Sequence, residues 1–329
     1  MPLSKMGSYC LFPRTPGLFS SLNVQKNMLQ DSVRNTTFQR AIHAAVRPGD
    51  VVVDLGTGTG ILAMWAADAG AGRVYAIEET DVALVAEAVI KANGYADRIS
   101  VIRSNSGRLE LPERADVLIA ELVGHFLFEE GIVEYMADVR ERLVKPGARI
   151  VPVAARVFAA PVELPTGFAE LSYWETWKSP DLSLIRKMAA NSAYVETVGP
   201  EALLAEPALL FDVDFHHDKP GIRVAEATFS IDRRARFGAI AGWFRLDLGG
   251  DIILPTGPSD PPTHWQQCLF PVENSVILSP GESLTCRVTL EPLCDGTRWR
   301  WEVSSQPGGF RETHEIQVLL GSRLMYERF

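Results

Sequence analysis

One stretch constrains the fold of this chain more than any other. Val51-Val52-Val53-Asp54-Leu55-Gly56-Thr57-Gly58-Thr59-Gly60 is a β-branched run that ends in a glycine-rich turn and leads straight into an apolar, helix-compatible segment, 61–69. A strand that turns on glycines into a helix opens a βαβ unit, where bare backbone can approach a nucleoside ligand. The spacing is G-x-G-x-G, which suits S-adenosylmethionine better than the G-x-G-x-x-G expected for a dinucleotide pyrophosphate. Asp54, Gly56 and Gly58 are therefore candidate cofactor contacts. Glu78 joins them because it closes the next β-branched run, where a carboxylate can accept from both ribose hydroxyls. The alternative is that Glu78 and Glu79 merely cap the helix that follows.

Alternation continues downstream. The runs Val74-Tyr75-Ala76-Ile77, Ile99-Ser100-Val101-Ile102 and Val117-Leu118-Ile119-Ala120 read as further strands, with helices expected at 61–69, 81–93 and 131–143. Short buried strands separated by helices indicate a parallel sheet with crossovers, a Rossmann-like α/β domain at 47–152. Ahead of it, 1–46 is an irregular lead-in followed by helix, with Asp31 or Asn35 as candidate caps between two short helices. Behind it, 153–329 changes texture: strand-like runs broken by Gly, Pro, Asp and Asn dominate from 222 onward, an antiparallel β-barrel-like domain. A helical arm at about 170–204 interrupts it, with Leu182, Leu184, Ile185 and Met188 on one face.

The 329 residues exceed what a single core usually supports. A formal charge of −9 speaks against a nucleic acid partner, since neutralising phosphates takes a basic surface. Cys10, Cys268, Cys286 and Cys294 form no C-x-x-C pair and have no histidine at zinc spacing, so they read as reduced cytosolic thiols without a metal. No apolar run approaches the roughly 20 residues that span a bilayer. The expectation is a cytoplasmic protein with no membrane partner.

The most informative segment follows the fourth strand: Ala120-Glu121-Leu122-Val123-Gly124-His125-Phe126-Leu127-Phe128-Glu129-Glu130. Acids bracketing an apolar turn, outside the carboxyl end of a parallel strand, lose solvation unless a cation pairs with them, so a clamp for a positively charged substrate is indicated. As a bare pattern, two acids near a helix start are more often caps. The segment resembles the double-glutamate loop of the protein arginine methyltransferases, with Glu121 and Glu130 at the family's positions and Glu129 expected to turn elsewhere. Pro262-Thr263-His264-Trp265 resembles the family's Thr-His-Trp loop, and Met28-Leu29-Gln30-Asp31-Ser32-Val33-Arg34 its N-terminal helix. The segments around Trp174-Glu175-Thr176-Trp177 and Asp181-Leu182-Ser183-Leu184-Ile185 resemble its dimerisation arm.

The resemblance implies a Rossmann-like methyltransferase domain, S-adenosylmethionine as cofactor, methylation of an arginine guanidinium and a homodimer. It makes Glu121, Glu130 and His264 catalytic, Met28 and Trp265 lining of the acceptor pocket, and Arg34 the partner of the cofactor's carboxylate, for which a planar guanidinium is suited. Departures are also visible. Thr15, Pro16 and Phe19 stand where the family has an aromatic Tyr-Phe-x-x-Tyr motif, and Gly17 stands where an aspartate would orient the loop histidine. Gln25 occupies the place of a cofactor-contacting histidine. Asn105 and Ser106 take over near the adenine, where a carboxylate is usual. These changes leave the acceptor open between arginine in a protein and free arginine or another small guanidine.

Overall fold

The computed structural model describes residues 21–164, 168–177, 179–293 and 296–319, so the sequence readings at Cys10, Thr15, Pro16, Gly17, Phe19 and Cys294 lie outside it. Two helices lead in, α1 (Leu22–Gln30) and α2 (Ser32–Ala45). Asp31 separates them with an extended backbone, and its side chain accepts the Arg34 N–H, the N-cap bond that lets α2 begin.

The parallel sheet holds β1 (Val51–Leu55), β2 (Arg73–Glu78), β3 (Ile99–Arg103), β4 (Ala115–Ala120) and β5 (Val144–Val151), in the order β3-β2-β1-β4-β5. Helices α3 (Ile61–Asp68), α4 (Val82–Ala92) and α5 (Ile132–Arg142) make the crossovers. Every residue of β1 is buried, as a strand covered on both faces requires. Strand order reverses between β1 and β4, so a crevice opens beyond their carboxyl ends, the place where such sheets take ligands. The fifth strand is an addition to the sequence reading: Lys145-Pro146-Gly147 carries turn chemistry, and only Arg149-Ile150-Val151 pairs in regular register with β4.

Beyond it run β6 (Ala154–Glu163), helices α6 (Ala169–Thr176) and α7 (Ser183–Ala190), and β7 (Tyr194–Glu196). Strands β8 (Ala208–Asp214), β9 (Arg223–Ser230), β10 (Ala235–Asp247), β11 (Ile253–Pro255) and β12 (Gln267–Leu278) follow. The last three are β13 (Ser283–Leu293), β14 (Gly296–Gln306) and β15 (Arg311–Leu319). They form two antiparallel sheets, β7-β12-β10-β6-β8 with β11 beside β10, and β15-β14-β13-β9. Two corrections apply. The arm is not helical throughout 170–204: it consists of two eight-residue helices, after which Tyr194-Val195-Glu196 leaves the helical pattern to pair with β12. Antiparallel structure also begins earlier than position 222, with β6 and β8.

The two parts share one apolar core. The loop after β4 inserts Phe126, fully buried, against Phe270 of β12 (ring centroids 4.9 Å apart) and Trp299 of β14 (5.5 Å). Gly242 of β10 makes room for it, since a Cβ there would overlap the Phe126 ring. The acidic loop is thus wedged between the parallel sheet and the β-domain. No described helix is long and apolar enough to cross a membrane.

Candidate functional site

The glycine turn after β1 is built as its sequence suggests. Gly56, Gly58 and Gly60 have φ of +73°, +55° and +86°, a region that side chains with a Cβ rarely adopt. The turn is also crowded from above. A Cβ on Gly56 would lie 2.5 Å from the Leu122 side chain, and one on Gly58 2.8 Å from Gln25 Oε1. Gln25, from α1 and itself buried, therefore closes over the turn from one side, and Leu122 of the acidic loop from the other.

Asp54 is fully buried at the end of β1. Its Oδ2 accepts from the Thr57 hydroxyl at 2.5 Å, whereas Oδ1 has no hydrogen-bond partner among the described residues. Burial pushes its carboxyl up to about 7, against the lowering effect of the Thr57 bond. Glu78 shows the capping role and a further one: Oε1 accepts the Thr80 N–H (2.9 Å) and caps the next segment, while Oε2 accepts the Gly58 N–H (3.1 Å) and braces the turn. Past β3, Asn105 accepts from Gly107 N–H and donates to Glu79. Ser106 is buried, and its hydroxyl has no partner among the described residues. Orphaned polar atoms at Asp54 and Ser106, flanking bare glycine backbone, suit a nucleoside with ring nitrogens and hydroxyls.

The acidic loop places its glutamates differently from one another. Glu121 is buried, and its Oε2 receives both Nε (3.0 Å) and Nη2 of Arg34, whose Nη1 bonds Asn35 Oδ1 at 2.9 Å. Arg34 thus grips a carboxylate of the protein, where the resemblance assigned it the carboxylate of the cofactor. Glu130 lies in the same enclosure, with no hydrogen bond to its carboxylate among the described residues. Burial, then the neighbouring charges of Glu121 and Glu129, push it well above the usual carboxylate range. Met28 is half-buried near the end of α1, and its carbonyl accepts the Asp31 N–H.

Across the loop, His264 is held twice by one aspartate. Asp31 Oδ2 accepts from the His264 backbone N–H (2.8 Å) and pairs with the ring Nδ1 (2.9 Å). Burial raises the Asp31 carboxyl, but bonds from the His264 ring and the Arg34 and His264 backbones outweigh it and hold the group below its ordinary value. The histidine therefore has its orienting acid despite Gly17. Position 31 was visible in sequence only as a helix cap.

Trp265 is 1% exposed, stacks edge-on against Phe244 and donates its indole N–H to Val123 O at 2.6 Å, while its carbonyl pairs with His125 Nδ1 at 2.7 Å. This fastens the loop of His264 to that of Glu121 and Glu130 and encloses the Trp265 ring. The residues that sequence reasoning missed are Asp31 as the histidine's partner, His125 as a link between loops, and Glu129, whose buried carboxylate accepts from Phe126 N–H.

Residues 153–300 match the family described as arginine methyltransferase oligomerization subdomain, and residues 36–152 match ribosomal protein L11 methyltransferase. The chain is 34% identical to the arginine N(omega)-methyltransferase of Streptomyces achromogenes subsp. streptozoticus, over 79% of this chain and 74% of that one. It is 28% identical to probable protein arginine N-methyltransferase 6 of Arabidopsis thaliana, over 85% and 75%. Among solved structures, the "PRMT1 enzyme-prozyme heterotetrameric complex with AdoHcy" of Trypanosoma brucei superposes with a TM-score of 0.83 at 25% identity, covering 91% of this chain and 99% of that one.

Proposed function

The chain belongs to the protein arginine N-methyltransferase family, and from that footing we propose that it methylates a guanidinium nitrogen of arginine in protein substrates, with Glu121 and Glu130 as the acceptor clamp. The observation that carries this reading is the half-buried Glu130 carboxylate, which has no hydrogen-bonded cation among the described residues and sits in a loop whose Leu122 closes over a glycine turn suited to the methyl donor. A desolvated anion of this kind is stable only when a cation arrives.

The cofactor, S-adenosylmethionine, supplies an electrophilic methyl group. Gly56, Gly58 and Gln25 would hold it at the turn, with Glu78 toward the ribose and Asn105 and Ser106 toward the base. Arg34, already bonded to Glu121, would hold the cofactor's carboxylate only by sharing its guanidinium between the two. On the acceptor side, a guanidinium stays protonated far above neutral pH, with its charge spread over three nitrogens and no free lone pair. Glu121 and Glu130 hold two edges of that plane, draw positive charge toward themselves and leave one nitrogen more nucleophilic. Their fixed placement in a water-poor loop does the work of alignment. His264, oriented by Asp31, receives or relays the proton that the nitrogen loses.

A homodimer accompanies this reading. The oligomerization subdomain match is supported on the surface by Tyr173, Trp177, Leu184 and Met188, exposed apolar side chains on or beside α6 and α7. An apolar patch of that kind fits a partner's surface.

Free arginine is the second acceptor, favoured by the 34% identical relative, which is named for arginine itself. The test incubates the protein with labelled S-adenosylmethionine and, in parallel, an Arg-Gly-rich peptide, a histone mixture and free arginine. Label on guanidinium nitrogens of peptide or histone is expected. Label on free arginine alone selects the second acceptor, and label on no guanidine refutes both.

A further inference from the structure

The acidic loop carries three carboxyls, and the clamp uses two. Glu129 directly precedes Glu130, yet its side chain folds the other way, under the turn. Its Oε1 accepts the Phe126 N–H at 2.7 Å, and a Cβ on Gly124 would overlap its Oε2, so Gly124 is the residue that leaves space for it. The turn it braces is strained: Leu127, fully buried and not a glycine, has φ of +74° and forms an isolated bridge with Gly124. Such a conformation persists only where neighbouring groups impose it. The Glu129 carboxylate supplies that constraint.

Its electrostatic setting is equally marked. Glu129 is buried, and its Oε2 has no hydrogen-bond partner among the described residues. Among the described residues, the ionisable groups whose charges act on or respond to the pair of Glu129 and Glu130 include Glu121, Arg34 of α2, Tyr135 of α5 and Cys268 of β12, and the His125 backbone bonds Glu129. Among these the only cation is Arg34, and both Nε and Nη2 of its guanidinium are turned to Glu121. Arg34 is thus bonded to Glu121 and acts on Glu130 by its charge, while the charges of Glu121 and Glu129 oppose ionisation of Glu130.

We propose that Glu129 is a positioning residue of the acceptor site, fastening from beneath the turn that carries Glu130 and setting the pH at which Glu130 becomes free to pair with a cationic acceptor. The reasoning rests on the clamp reading above. Buried carboxyls this close cannot all ionise without a cation, so protons compete with the acceptor for them. Burial pushes Glu129 up to about 7, and the charge of Glu129 in turn adds to the forces that raise Glu130. Removing that charge while keeping an acceptor for Phe126 N–H should let Glu130 ionise at lower pH without loosening the turn.

The test measures kcat and KM for the acceptor across pH 5.5 to 8.5, using an Arg-Gly-rich peptide and free arginine, in the unmodified protein, Glu129→Gln and Glu129→Ala. The unmodified protein should show an acceptor KM that falls as pH rises, by up to about tenfold per unit while one proton is displaced. In Glu129→Gln the same fall should lie lower by at least about half a pH unit, with the plateau kcat within about threefold, because the amide oxygen still accepts from Phe126. Glu129→Ala should lose at least about tenfold in plateau kcat while S-adenosylhomocysteine binds as before. A pH profile of Glu129→Gln that superimposes on that of the unmodified protein overturns the proposal, as does a kcat for Glu129→Gln as low as that of Glu129→Ala. If Glu129→Ala does not fold, the glutamine profile decides alone. Glu130→Gln run alongside keeps the two readings apart: unmodified turnover there refutes the clamp whatever Glu129 does.

Discussion

Asp31 joins three functions in one carboxylate, and its replacement is the sharpest structural test of how the site is assembled. Oδ1 caps α2 through the Arg34 N–H (2.9 Å), and Oδ2 holds His264 by its backbone (2.8 Å) and its ring (2.9 Å), with only 3% of the Asp31 side chain exposed. Losing a helix N-cap costs about 1 kcal/mol. Leaving the His264 N–H and ring without a partner in partly buried surroundings costs about 1 kcal/mol each. Asp31→Ala should therefore lose about 2–3 kcal/mol in urea unfolding, and turnover should fall about 10- to 100-fold as the imidazole loses its orientation. Asn caps a helix as well as Asp does, so Asp31→Asn should cost about 1 kcal/mol less while still losing much of the turnover. The Asp31 carboxyl is held below its ordinary value in the folded protein, so its contribution is present above the unfolded value of 3.8 and is lost as pH falls through the lower folded one. The gap between Asp31→Ala and the unmodified protein should accordingly narrow below about pH 4. An alanine variant within about 0.5 kcal/mol of the unmodified protein at neutral pH, with full turnover, would refute this reasoning.

Glu121→Gln should impair S-adenosylhomocysteine affinity as well as turnover, because Glu121 orients the Arg34 guanidinium; calorimetry and initial rates check it, and unchanged affinity would separate the two residues. Asp54 is raised from 3.8 to about 7, so its contribution to stability is fully present below about pH 4 and lost as pH rises through 7. Asp54→Asn should flatten the stability profile of the cofactor-free protein over that window by roughly 3–4 kcal/mol, read by urea unfolding at several pH values. Leu184→Glu combined with Met188→Glu places charge on the exposed face of α7 and should turn a dimer into a monomer in light scattering, with little change in the unfolding of the protomer.

Much of this architecture is legible in the sequence because the physics is local. The Val51–Leu55 strand and its glycine turn announce themselves through consecutive buried β-branched residues and positive-φ positions, and the helices of the parallel sheet lie within a few residues of their expected ends. What escapes is non-local. Nothing near Asp31 marks it as the partner of a histidine more than two hundred positions away, and the cap role hides the second one. Strand β12 combines Pro271, Asn274 and a register shift against β10, which together erase alternation, and β7 is recruited by pairing with it. Glu121 and Arg34 had been expected to serve different ligands. Their shared bond appears only once α2 packs against the end of β4.

Activation of a guanidinium by the carboxylate clamp turns on Glu130, whose charge is set against those of Glu121, Glu129 and Arg34. Glu130→Gln should bind S-adenosylhomocysteine in calorimetry as the unmodified protein does, while methylation of arginine peptides and free arginine falls by about 100-fold or more, in kcat as well as in kcat/KM. Unmodified rates on an arginine acceptor with Glu130→Gln would contradict the account.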